Sequence, residues 1–211
     1  MALRTFAAMS TSQPTPTVVS FGEELLDRMV RAVEKVRERL ARSTQALEAA
    51  GIPYAVAGGN AVAAWVSKVD PGAARNTIDV DLIINRSDLE AAKVAMAQAG
   101  FVYAFSYGIH MFLDGPDGRP RDAVHLLFAG EKDDPRYVDP APEVTSLGQH
   151  DAYRLIDLEP LVLMKLTSFR RKDQVHIQDL INVGLIDESW PARYSPGLAV
   201  RLQELLDDPE G

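Results

Sequence analysis

Cysteine is absent from the 211 residues. That excludes disulfide cross-links, cysteine-ligated zinc, iron–sulfur clusters and a thiol nucleophile, and it fits a cytoplasmic protein. Positive charge is also scarce: 22 Lys and Arg stand against 30 Asp and Glu, for a net charge of −8. Attraction to nucleic acid in bulk depends on cations that neutralise phosphates, so no bulk nucleic-acid binding is expected. A local basic site or an acidic metal-binding cleft stays open. No apolar run reaches the ~18 residues that a membrane-spanning helix needs, so no membrane partner is expected. The 4 histidines are scattered, too few and too dispersed for a His-rich phosphohydrolase centre.

What is present is an ordinary globular balance, 46% hydrophobic and 25% charged, enough to bury one core. Residues 1–19 run into Thr11-Ser12-Gln13-Pro14-Thr15-Pro16-Thr17 without a sustained apolar region, and are expected to form a flexible leader. Residues 20–211 are expected to form a single domain, with a core over about 51–130 and a C-terminal helical part over about 151–206.

Ser20-x-x-Glu23 has the form of a capping box and opens a long amphipathic helix from Phe21 to Ala50. Leu25, Met29, Val33, Val36 and Leu40 make its apolar stripe, and Gly51 its stop. Pro53–Ala57 reads as a short strand, and after Gly58-Gly59 a helix over Ala61–Val69 follows, with Asn60 as its cap. Ile78–Ile84 alternates polar and apolar before turning apolar, a strand with one special face. Ser87-x-x-Glu90 is a second capping box, heading a helix to about Ala99. Phe101–Ser106, Ile109–Leu113 and Arg121–Phe128 read as strands, the last two forming a hairpin around the Gly115-Pro116-Asp117-Gly118 turn. After a polar connector (130–150) come a strand (Tyr153–Ile156) and helices over Leu158–Arg171, about His176–Val183 and Pro196–Leu206. The expected fold class is α+β, α/β-like: a mixed sheet with flanking helices and a C-terminal helical cap.

Three features carry chemistry, each with a plainer alternative. Gly58-Gly59 lets backbone approach a ligand and frees N–H groups where an anion is favoured, or it is only a tight strand–helix turn. Asp79 and Asp81 are two apart on a strand, so both carboxylates project to one side. Such a pair repels unless a positive group sits between its members, and hard oxygen donors of this kind suit Mg²⁺. The alternative is an exposed strand face paired with Arg75 or Arg86. Lys165 is the one charge inside Leu161–Leu166, and it must either snorkel to water or meet an anion. Arg170-Arg171-Lys172-Asp173, with His176 and Asp179 beyond, is a phosphate-facing cluster or a solvated salt-bridge network.

Gly58-Gly59, then Arg75-x-Thr77-x-Asp79-Val80-Asp81, then Lys165 with Lys172-Asp173 and Asp179-Leu180, resemble the DNA-polymerase-β-like nucleotidyltransferase superfamily. The nearer likeness is to its small bacterial members, including the nucleotidyltransferase-like toxins of abortive-infection systems. The resemblance covers roughly residues 50–185. It implies transfer of a nucleoside monophosphate from an NTP to an acceptor hydroxyl or phosphate, with Mg²⁺ or Mn²⁺ as the metal. Gly58 and Gly59, with Arg75, Thr77 and Lys165, are then expected to hold the nucleotide, and Asp79 and Asp81 the metal. The acceptor stays open among a small molecule, a protein and a tRNA docked near Arg170, Arg171 and Lys172. The toxin likeness further implies an antitoxin partner.

At one point the chain departs from that pattern. Two-metal members place a third carboxylate on a later strand, and the best match here, Val124-His125-Leu126-Leu127-Phe128, carries His125 instead. A neutral imidazole offers one nitrogen and no charge, so a second Mg²⁺ is held less well. His125 is therefore a base for the acceptor hydroxyl, a ligand, a satisfied sheet histidine or a sign of lost catalysis in a silent nucleotide-binding protein. Asp122 is three residues away, an odd step that puts it on the other strand face. His110 is a second candidate for the cleft, while His150 in the polar connector is expected to be exposed.

Overall fold

Hydrophobic burial sets the centre of the molecule. The computed structural model describes residues 22–144, 147–150 and 152–208, so the expected leader (1–19) and Ser20 of the first capping box lie outside the described residues. Among them are seven strands: β1 (Tyr54–Ala57), β2 (Val80–Ile84), β3 (Val102–Ser106), β4 (Ile109–Leu113), β5 (Val124–Phe128), β6 (Leu147–His150) and β7 (Tyr153–Ile156). They form one mixed sheet in the order β3-β4-β5-β2-β1-β7-β6. β1 runs antiparallel to β2 and parallel to β7, and β2 runs parallel to β5. The central strands β1 and β2 are apolar because both faces are covered, and Tyr54, Val56, Leu82, Ile83 and Ile84 are fully buried. The helices are α1 (Glu23–Ala49), α2 (Gly58–Ser67), α3 (Leu89–Gln98), α4 (Leu158–Ser168), α5 (Arg171–Asn182) and α6 (Pro196–Asp207). The fold is α+β: a mixed sheet with flanking helices, capped by α4, α5 and α6.

Several boundaries differ from the sequence reading for local reasons. The first helix starts at Glu23, with Gly22 as its N-cap. Only part of its apolar stripe is buried: Met29 is 59% exposed, and full burial begins at Arg39 and Leu40 and continues through Ser43, Thr44 and Leu47. Ser43 and Thr44 tolerate that burial because both hydroxyls donate to the Leu40 carbonyl, at 2.9 Å each. Gly58-Gly59 is the first turn of α2 rather than a loop before it, and the N-cap is Ala57. Asn60 therefore lies inside the helix and caps nothing; its Nδ2 donates to the Asp79 carbonyl at 2.7 Å. The segment around Ser87 forms a short 3₁₀ turn (Arg86–Asp88), with no side-chain cap at the start of α3. The polar connector contributes β6, which pairs antiparallel with β7.

The single helix expected over Leu158–Arg171 is broken at Phe169, whose φ of +45° ends α4 in the left-handed region. Asp173 explains why α5 starts so soon afterwards. Its carboxylate accepts from the Arg170 backbone N–H at 3.2 Å, from Ser168 Oγ at 2.8 Å and from Arg170 Nε at 2.7 Å. It also meets Lys165 Nζ at 3.1 Å, and its side chain is 0% exposed. Burial opposes ionisation of Asp173, but the Arg170 guanidinium, the Lys165 ammonium and the Ser168 hydroxyl outweigh it and lower its pKa to about 2. The group is ionised in the fold and bolts α4 to α5. Removing one partner of a buried ion pair strands the other charge. Asp173→Asn is therefore expected to destabilise the protein by about 3–5 kcal/mol in urea unfolding. Because the folded pKa lies below the ordinary 3.8, the carboxylate's contribution is full above that value and fades as pH falls toward 2. The variant loses that segment of the acid-unfolding curve; an unchanged curve contradicts this role.

Candidate active site

Asp79 is the last residue before β2 and Asp81 its second, so the period-2 geometry of the strand sends both carboxylates to one side. Parallel pairing of β2 with β5 then sets Asp81 opposite His125. Ligand atoms of Asp79, Asp81 and His125 all lie within 4.8 Å of one another. The Thr77 hydroxyl donates to Asp79 Oδ1 at 2.7 Å, and Lys172 Nζ stands 3.9 Å from Asp79 Oδ2. Burial disfavours the Asp79 anion, yet the Thr77 hydrogen bond and the Lys172 charge prevail and lower its pKa. Asp79 is thus held in its ionised form.

His125 is oriented from both ends. Nε2 lies 3.1 Å from the Pro120 carbonyl, which can only accept, so Nε2 carries the hydrogen. Nδ1 then faces Asp81 Oδ1 at 3.7 Å. The neighbouring Asp81 carboxylate raises the pKa of His125 against the effect of burial. With Nε2 committed to the backbone, Nδ1 is the nitrogen presented to the carboxylates, as expected of an imidazole that ligates a metal through one nitrogen and is held by the other.

The diglycine fits around the aspartates. Gly58 has φ +63°, and a Cβ there would lie 1.8 Å from Asp81 Oδ2. A Cβ on Gly59 would lie 2.9 Å from the Thr77 hydroxyl. Gly58 is required by its left-handed φ and by the Asp81 carboxylate against it, and Gly59 is crowded by the Thr77 side chain. These residues line a cavity of about 350 Å³, within the usual size of small-molecule sites.

The structure brings Gly58, Gly59, Thr77, Asp79, Asp81 and His125 to this cavity, together with Lys165 and Lys172. Two expected phosphate contacts have carboxylate partners within the chain. Lys165 lines the cavity, but its ammonium is buried against Asp173, so its charge is already matched. Arg75 lies outside the lining; its guanidinium Nε reaches both oxygens of Asp179, at 2.8 and 2.9 Å. The cations exposed at the cavity are Arg170 and Lys172 instead, each with 55% of its side chain accessible. Arg86, the alternative partner for the aspartates, pairs with Glu131 at 2.5 Å. Asp122 binds Arg119 and Arg121 in the turn before β5. His110 sits away from the cavity, between Tyr103 Oη at 2.7 Å and Arg86 at 3.1 Å. The side chain of His150 lies outside the described residues.

Sequence reasoning missed several lining residues. Asp133, Tyr137 and Asp139 reach the cavity from the segment after β5, whose polar sequence carries no periodicity to place them. Desolvation raises the pKa of Asp133, opposed by Arg170. His176 lines the same cavity; burial first, then Lys165, lowers its pKa to about 4, so it stays neutral near pH 7.

No family model matches this sequence, and no curated protein matches it. Solved structures do. An antigenic nucleotidyltransferase-like protein from Paracoccidioides brasiliensis superposes with a TM-score of 0.55 at 21% identity, covering 84% of this chain and 90% of that one. JHP933 from Helicobacter pylori gives 0.46 at 15% identity, over 90% of this chain and 78% of its own. The antibiotic-resistance factor ANT(2'')-Ia gives 0.40 at 12%, over 87% of each chain. The chain therefore has the nucleotidyltransferase-like fold, as the Paracoccidioides brasiliensis protein shows it.

Gly58→Ala tests how tightly glycine and carboxylate are fitted. The variant is expected to lose at least about 1 kcal/mol from its left-handed φ alone, and to displace Asp81, weakening Mn²⁺ binding at least tenfold in calorimetric titration. Wild-type affinity in a folded Gly58→Ala protein would separate the diglycine from the aspartates.

Proposed function

We propose that the protein transfers a nucleoside monophosphate from an NTP to an acceptor, in a reaction that depends on Mg²⁺ or Mn²⁺. The observation that carries this reading is the convergence of Asp79, Asp81 and His125 within 4.8 Å beside a diglycine helix start. Two carboxylates and one imidazole nitrogen fit a divalent cation that completes its shell from substrate phosphate and water. When bound there, such an ion supplies charge neutralisation to the triphosphate and to the developing transition state.

The chain's own residues do the rest. The backbone N–H groups at Gly58 and Gly59 lie at the start of α2, where a phosphate is favoured. Lys172 and Arg170 stand at the cavity to offset charge on the departing pyrophosphate. The acceptor oxygen attacks the α-phosphorus, its proton passing to water; the new P–O bond forms as the α–β P–O bond breaks, and pyrophosphate leaves. Thr77 keeps Asp79 oriented through its 2.7 Å hydrogen bond. Neutral His176 and the matched Lys165 shape the wall without adding net charge.

His125 supports a second reading, a catalytically silent protein that keeps the nucleotide site, because it replaces the third carboxylate of two-metal relatives. Nδ1 turned toward Asp81 supports His125 as a ligand in a one-metal site.

The Asp79→Asn/Asp81→Asn double variant is expected to keep its circular dichroism while losing at least 100-fold in Mg²⁺-dependent NTP affinity. The calorimetric titration is run with each of the four NTPs. Unchanged affinity takes the aspartates out of the site. For His125→Ala, nucleotide affinity and pyrophosphate release are expected to fall together. Loss of turnover alone makes His125 the base, and wild-type binding without turnover in any condition supports the silent reading.

A further inference from the structure

Asn60 is the third residue of α2, half-buried, and its Nδ2 donates to the backbone carbonyl of Asp79 at 2.7 Å. The register of the sheet shows what that bond replaces. β1 and β2 pair antiparallel from Tyr54 opposite Ile84 to Ala57 opposite Asp81. Continued by one more repeat, the ladder would set Gly59 opposite Asp79. The chain instead enters α2 at Gly58, so the pairing stops at Asp81. On the other side, the β2–β5 pairing begins at Val80 opposite Val124. Asp79 therefore lies just outside the paired strand on both sides, although it carries one of the two carboxylates. The Asn60 amide supplies a donor where β1 has left the sheet.

Three consecutive residues of α2 thus meet the three alternate residues that line the cavity from this strand, Thr77, Asp79 and Asp81. Gly58 lies against the Asp81 carboxylate and Gly59 against the Thr77 side chain, both too close for a Cβ, while Asn60 bonds Asp79. The first two contacts limit how near the helix can come. The third is attractive and holds it there. Thr77 orients the Asp79 carboxylate through Oδ1, and Asn60 fixes the backbone from which that carboxylate projects.

We propose that Asn60 is a positioning residue: by tying Asp79 to the first turn of α2, it sets the separation between the metal-binding carboxylates and the diglycine that receives the triphosphate. The proposal rests on the nucleotidyl-transfer reading. In that reading one cation touches Asp79 and, at the same time, a phosphate seated at Gly58 and Gly59. Misplacing such partners by about 1 Å costs up to ~100-fold. An asparagine that only supported the helix would be replaceable by alanine, the strongest helix former.

Asn60→Ala and Asn60→Leu test this in the full chain. Alanine removes the donor while raising the intrinsic helix preference of α2, and leucine keeps the branched shape without a hydrogen bond. Calorimetric titration measures Mn²⁺ affinity, first alone and then with a saturating nonhydrolysable NTP, and thermal unfolding of the same samples reports on the helix. Both variants are expected to bind Mn²⁺ alone at least about tenfold more weakly, the loss usual when a group that orients a metal ligand is removed. The factor by which the nucleotide tightens Mn²⁺ binding is expected to shrink as well, at an unchanged circular dichroism spectrum. A lowered melting temperature with wild-type Mn²⁺ affinity and wild-type nucleotide dependence makes Asn60 purely structural and overturns the proposal. So does wild-type behaviour throughout in a folded Asn60→Ala protein. Failure of the wild-type chain to bind Mn²⁺ is a separate result: it removes the nucleotidyl-transfer reading, and the positioning role with it.

Discussion

Two aspartates two residues apart, facing the same way at the start of a strand, are the constraint on which the rest of the site depends. Like charges so close repel, and they persist only where something positive is supplied. Inside the chain, Lys172 at 3.9 Å, the Thr77 hydroxyl and the imidazole of His125 supply part of that compensation. Their arrangement leaves room for more, because Lys172 and His125 each approach one carboxylate and neither bridges the pair by hydrogen bonds. The absence of side chains at Gly58 and Gly59 belongs to the same constraint: the carboxylate and the threonine occupy the space that a Cβ would fill.

Around this centre the fold is divided between support and chemistry. The apolar strands β1 and β2 fix the backbone from which the aspartates project, and the β2–β5 register brings His125 across to Asp81. The Lys165–Asp173 bolt holds α4 against α5 and so fixes the base of Lys172, the residue next to Asp173. Lys165 thereby ties the helix that carries it to α5. The same logic applies to Arg75, whose charge is spent on Asp179 of α5.

Period and punctuation made much of this legible in the sequence. The alternation through Asp79 and Asp81 placed both acids on one side, and the diglycine between strand and helix marked a close approach, because both are local signals. What local signals cannot carry is register and pairing across the chain. The partner of Lys165 lies beyond a helix break at Phe169 that no glycine or proline announces. Asp133, Tyr137 and Asp139 reach the cavity through an irregular segment with no periodicity. The apolar stripe of α1 is buried only in part, with Met29 59% exposed.

The central claim is that Asp79, Asp81 and His125 together hold one divalent cation under a nucleotide at the diglycine. Anomalous diffraction from crystals grown with Mn²⁺ and a nonhydrolysable NTP measures this directly. The account predicts a single strong manganese peak in contact with both carboxylates and with Nδ1 of His125, with the triphosphate against Gly58 and Gly59. A manganese position elsewhere, or a nucleotide bound with the two aspartates left empty, contradicts it.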